Sequence, residues 1–304
     1  MSNWNTPKNI NWKKDVMPII KERLIILNKY GIIPTLRTIF YSLVFLNVIP
    51  NSHNYYKYLT NYTKQAKLNG ELPIDCFADQ NLPRITNSLN EFGNAKEYLQ
   101  KIVNYLEAVS STHSLQEEDK CNNKNNNPYN DIEVWIEKNT QSFTFHNLLK
   151  NYAINIISNK GIDTTSFVNK NINRLKQSLK DNKKVHIRYF GNFDLFSDNI
   201  DTTIKNNIQA FDLNIDFKKI AITEDQMRKY HLPENPNPEI IRKLDNNLRK
   251  DFFISKYGRL FQIELESLQA YAPERFKNII LESVNDILNK DKKYENIKNI
   301  NMII

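Results

Sequence analysis

The chain has two cysteines in 304 residues, Cys76 and Cys121, and no CxxC pair. That excludes a disulfide framework and a cysteine-ligated zinc site. Its five histidines are scattered without ligand spacing. No apolar run reaches the ~18 residues of a membrane-crossing helix, and MSNWNTPKNINWKK at the start has no signal-peptide core. A soluble, intracellular protein that meets no membrane is the expectation. No ATP-binding signature is visible either, so a reaction driven by ATP would need a separate subunit.

What is present is charge, length and a core. A formal net charge of +8 suits a polyanionic partner, and an AT-rich genome favouring Lys, Asn and Ile would produce part of the same excess. With 304 residues and 40% hydrophobic content, two domains of ordinary size are possible.

The front of the chain reads as helical. Residues 15–30 place Val16, Ile19, Ile20, Leu24 and Leu27 at helical spacing, with Asp15 as cap, Pro18 in the first turn and Gly31 as the stop. A second helix over 34–47 buries Leu36, Ile39, Phe40, Leu43 and Leu46. Arg37 and Tyr41, four apart, share a different face. Ser52 caps a third helix to Leu68, with Tyr55, Leu59, Tyr62 and Ala66 inward and Lys57, Asn61 and Lys64 outward. Asn69-Gly70 is a tight turn. Helix, helix, turn, helix and a short extended piece outline a winged helix, whose third helix would read DNA; the same three residues also fit a solvated face. A fourth helix is expected over 86–108. Residues 109–130 are polar, almost free of large aliphatic side chains, and read as a linker dividing an N-terminal domain, 1–108, from a C-terminal one, 131–304.

Strand and helix patterns alternate in the C-terminal domain. Strands are expected at 132–136, 152–157, 185–190 and 217–222, and helices at 140–150, 163–179 and 199–211. The alternation implies an α/β fold with a four-stranded, mostly parallel sheet and flanking helices. Ligands of such sheets sit at the carboxyl ends of strands. Glu137 ends the first strand, and Asn192 and Asp194 follow the third, so their oxygens should converge in a way that suits a divalent metal. Residues 224–237 read as a loop, 239–257 as helix, QIELESL as a short strand, 274–290 as a last helix, and the remainder as a loosely held tail.

These motifs resemble the A subunit of topoisomerase VI, its relatives that initiate meiotic recombination, and the short stand-alone A-like proteins of mobile elements. The resemblance covers most of the chain. It rests on PTLRTIFYSLV at 34–44, on Glu137-Lys138 closing a strand, on a later strand ending near Asp194, and on IAITEDQMRKYHLPENP at 220–236. It implies a winged-helix domain followed by a Toprim-like domain, and cleavage of double-stranded DNA through a covalent tyrosyl intermediate. By resemblance Tyr41 is the nucleophile, Arg37 its phosphate contact and Glu137 a general acid or base. Glu137, Asn192 and Asp194 would hold Mg²⁺ or Mn²⁺. Lys57, Asn61 and Lys64, placed outward by their spacing, are the candidate DNA contacts on the third helix, and Lys138 is either a phosphate contact or a surface charge. A homodimer, a separate ATPase subunit of the B type, and a cytoplasmic, nucleoid-associated or mobile-element setting are implied as well. The sequence departs from the family at Asn192, where an Asp is usual; Asn brings no charge to a metal. Two further readings stand beside cleavage: a DNA-binding protein without catalysis, which turns on Asn192, and a metal-dependent nuclease without a covalent step, which turns on Tyr41.

Overall fold

A computed structural model describes residues 10–78, 130–150, 152, 154–158, 164–195, 200–236 and 248–301. The helix expected at 86–108 and the linker expected at 109–130 lie outside these residues, except that Asn130 opens the first strand.

Four parallel strands, β1 (Asn130–Ile136), β2 (Asn155–Ser158), β3 (Lys184–Phe190) and β4 (Ile215–Ala221), lie in the order β2-β1-β3-β4. The chain moves from β1 outward to β2, then returns to the other side of β1 for β3. The winding direction therefore reverses between β1 and β3, and a crevice opens at their carboxyl ends. β1 is buried along its whole length, as a central strand covered on both faces must be. Its buried polar groups are paired: Glu133 accepts from Arg174 and from the Trp135 indole, and Asp131 accepts from Ser178.

Alternation along the strands divides the core in two. Trp135, Val185, Ile187, Tyr189 and Phe217 face helices α5 (Thr164–Lys180) and α6 (Ile200–Gln209) through Ile172, Leu175, Ile204 and Ile208. Val134, Ile136 and Phe190 face the other way, into a larger cluster. That cluster also takes in α1 (Met17–Lys29), α2 (Leu36–Phe45), α3 (His53–Leu68), α4 (Ser142–Leu149), α9 (Leu265–Tyr271) and α10 (Pro273–Asn301). The front helices and one face of the sheet thus share a hydrophobic core.

Several local expectations are corrected. The first helix is capped by Asn11, through a π-helical turn at Trp12–Val16, and Asp15 accepts the Asn11 N–H instead of capping. Residues 224–237 are not all loop. Thr223 and Gln226 form a reciprocal capping box that starts helix α7 (Glu224–Tyr230), and the prolines come after it. The helix expected over 239–257 is described from Leu248 as α8 (Leu248–Tyr257). QIELESL is not a strand: only Ile263 pairs, with Phe193, and Leu265 already begins α9. The last helix, expected over 274–290, runs on as α10 as far as Asn301.

Candidate functional site at the β1/β3 crevice

Glu137 sits one residue beyond β1, where its N–H donates to Phe190 O and prolongs the ladder to β3. Gly191 and Asn192 leave β3 beside it. The antiparallel bridge between Phe193 and Ile263 then draws residues 262–265 across the strand ends. Topology therefore gathers three segments at one rim.

Glu137 and Asn192 meet there. Asn192 donates its backbone N–H to Glu137 Oε2 at 2.6 Å and its Nδ2 to Glu137 Oε1 at 2.9 Å. The amide has one orientation available, because the Leu265 N–H can only donate and takes Asn192 Oδ1 at 3.0 Å. Asp194 is buried close by, and its Oδ2 accepts from Gln262 Nε2 at 2.8 Å. Burial, and then the charge of Asp194, push the Glu137 carboxyl up to about 7 against the relief given by Lys138 and the Asn192 N–H. A half-buried carboxyl in that range can give or take a proton near neutral pH.

A second cluster adjoins the first. Glu264, buried, accepts from Lys138 Nζ at 2.8 Å on Oε1, and from Arg37 Nε at 3.0 Å and the Tyr41 hydroxyl at 2.8 Å on Oε2. Lys138 also reaches Glu266 at 3.4 Å. The Arg37 guanidinium lies 3.9 Å from the centre of the Tyr56 ring. Burial would raise the Glu264 carboxyl, but Lys138 and Arg37 outweigh it and hold the group below its usual range. Lys138 is held charged: burial opposes this, and Glu266 and Glu264 override it. Tyr41 is pushed well above the ordinary phenol range, first by burial and then by the neighbouring Glu264 charge.

The sequence-derived candidates therefore divide into three groups. Glu137, Asn192 and Asp194 gather at one rim. Arg37, Tyr41 and Lys138 converge on Glu264, with Tyr41 meeting the rim region of its own chain. Lys57, Asn61 and Lys64 are exposed on α3, apart from both clusters. Two expectations need correction. Tyr41 does not lie on an open face of α2. The helix is enclosed from Thr38 to Val44, Tyr41 has no exposed surface, and its hydroxyl is committed to Glu264. Lys138 is not free for a phosphate, because its ammonium pairs with Glu264 and Glu266.

The donor set as it stands does not fit a Mg²⁺ ion. A hard cation needs oxygens turned toward it. Asn192 turns an amide N–H to Glu137 and gives its oxygen to Leu265. Among the described residues no group of three or more His, Cys, Asp or Glu gathers as a metal cradle.

Glu264, Glu266 and Gln262 escaped the sequence reading. Their signal was two acidic residues inside an otherwise apolar run, which seldom enter a core unless paired. Gly191 has a role too, since a Cβ there would lie 2.7 Å from Glu137 Oε2 and from the Tyr189 hydroxyl. Gly191→Ala should displace the Glu137 carboxylate and lower stability by about 1–3 kcal/mol. Denaturant unfolding checks this, and an unchanged midpoint would contradict the packing described.

A search of protein families, curated proteins and solved structures found no match to this chain. No helix among the described residues is long and apolar enough to cross a membrane.

Proposed function

We propose that the protein binds double-stranded DNA through α3, on a winged-helix plus Toprim-like architecture whose cleavage centre is closed. The observation that carries the reading is the exposed face of α3. Lys57, Asn61 and Lys64 stand on it in the open, and the helix contains no acidic residue. A cationic, acid-free helix face on a chain of net charge +8 is matched to a phosphate backbone. Support for a closed centre comes from the partners already named: the Tyr41 hydroxyl donates to Glu264, and both Glu137 oxygens accept from Asn192.

Titrating a labelled duplex at several salt concentrations tests it. Lys57→Ala and Lys64→Ala should each weaken binding to every duplex several-fold. If each lysine meets one phosphate, the slope of log K against log salt falls by about 0.9 per substitution. Affinity and slope equal to the unsubstituted protein in both variants would remove α3 from the interface.

A second reading, DNA cleavage by Tyr41, draws on the convergence of Arg37, Tyr41 and Lys138 beside the Glu137 rim. It requires the Tyr41 hydroxyl to leave Glu264 and the Asn192 amide to turn. The binding reading requires neither.

A further inference from the structure

We infer that α3 specifies adenine in the major groove, with Asn61 as the residue that selects the base. The inference rests on the DNA-binding reading and adds a sequence preference to it.

The order of side chains around the helix carries it. At about 100° per residue, the exposed arc of α3 has three bands. Lys64 and Lys57 form one edge. Asn61, Asn54 and Gln65 occupy the middle, Tyr58 forms the other edge, and Leu68, at the last turn, falls in angle between Lys57 and Asn61; all seven are exposed. The opposite arc is closed by Leu59, Thr63 and Ala66, which are buried, so the helix can present only this face. Thr60 is exposed, but its one donor goes to Tyr56 O, which leaves it only as an acceptor. Among the described residues no hydrogen bond or ion pair engages the side chains of Asn54, Lys57, Asn61, Lys64 or Gln65. Their donors and acceptors are available to a ligand.

A cationic edge beside a strip of carboxamides matches a duplex groove better than a bare phosphate lattice. Long lysine arms reach a sugar–phosphate backbone, and the neighbouring amides then lie over the base edges. A carboxamide offers one acceptor and one donor side by side, which pairs with adenine N6 and N7 in the major groove. The acceptor pair of guanine, O6 and N7, asks instead for two donors, as arginine gives. Asn61 is the amide nearest the lysine edge. It follows Lys57 by four residues and precedes Lys64 by three, so both lysines lie one turn from it.

Selection from a randomised duplex pool tests this. The unsubstituted protein should enrich a site containing adenine, with a preference of about ten-fold or more over guanine at one position. Asn61→Arg should move that preference to guanine. The position is exposed, so the variant should fold, and unfolding temperature and circular dichroism verify that it does. A pool bound without base preference would overturn the inference and leave the DNA-binding reading standing. An adenine preference that Asn61→Arg leaves intact would assign the readout to another residue and also overturn it. Absence of duplex binding, or stronger binding to single strands, would overturn both.

Discussion

Glu264→Ala lowers the unfolding free energy by about 3 kcal/mol, the lower end of the range for breaking a buried ion pair. The carboxylate is buried and serves Lys138, Arg37 and Tyr41 together. Its removal leaves a half-buried ammonium with only the longer 3.4 Å contact to Glu266, and the Tyr41 hydroxyl without its acceptor. The lower end applies because the Arg37 and Lys138 side chains keep 20% and 26% of their surface exposed, so water recovers part of the loss. Glu264→Gln keeps the shape and an acceptor but not the charge, and should cost less than the alanine. Chemical denaturation of the three proteins at pH 7 gives the order. Equal stability of the alanine variant and the parent would mean that Glu264 does not tie α2 to the sheet rim.

Glu137 governs a pH dependence of similar size. Its carboxyl is raised from an ordinary 4.5 to about 7 in the folded chain. The folded state therefore holds that proton more tightly than the unfolded state. The contribution is fully present below about pH 4.5, fades as pH rises, and is lost above about pH 7. A shift of this size corresponds to about 3 kcal/mol across the window. Glu137→Gln removes the titration, so the stability difference between variant and parent changes with pH over that interval and is flat outside it. The variant's NH₂ would face the Asn192 amide donor, which lowers its stability at every pH without altering the slope. A difference that stays constant from pH 4 to pH 8 would contradict the raised carboxyl.

The sheet was legible because a central strand and its exits leave a plain record. The apolar run ending at Glu137, and the later one ending before Asn192, placed β1 and β3 and foretold that their ends would meet. Glu264 was not legible in the same way. Leu265 to Ala270 are all buried, so the segment carries no one-sided periodicity, and the acid–apolar alternation of IELE imitates a strand. The burial of Tyr41 was not legible for a related reason. Spacing from Arg37 fixes which side of α2 it occupies, but whether that side meets water or another helix is decided by α9, more than two hundred residues away. The α7 capping box was present in the letters TEDQ, and the prolines after it drew the reading toward a loop.

The most direct test of DNA binding with a closed centre uses supercoiled plasmid, Mg²⁺ or Mn²⁺, and the unsubstituted protein. Binding should retard the plasmid without nicking it or leaving protein on its ends. Linear or nicked DNA carrying covalently attached protein, absent with Tyr41→Phe, would show that the phenol leaves Glu264 and that the centre opens.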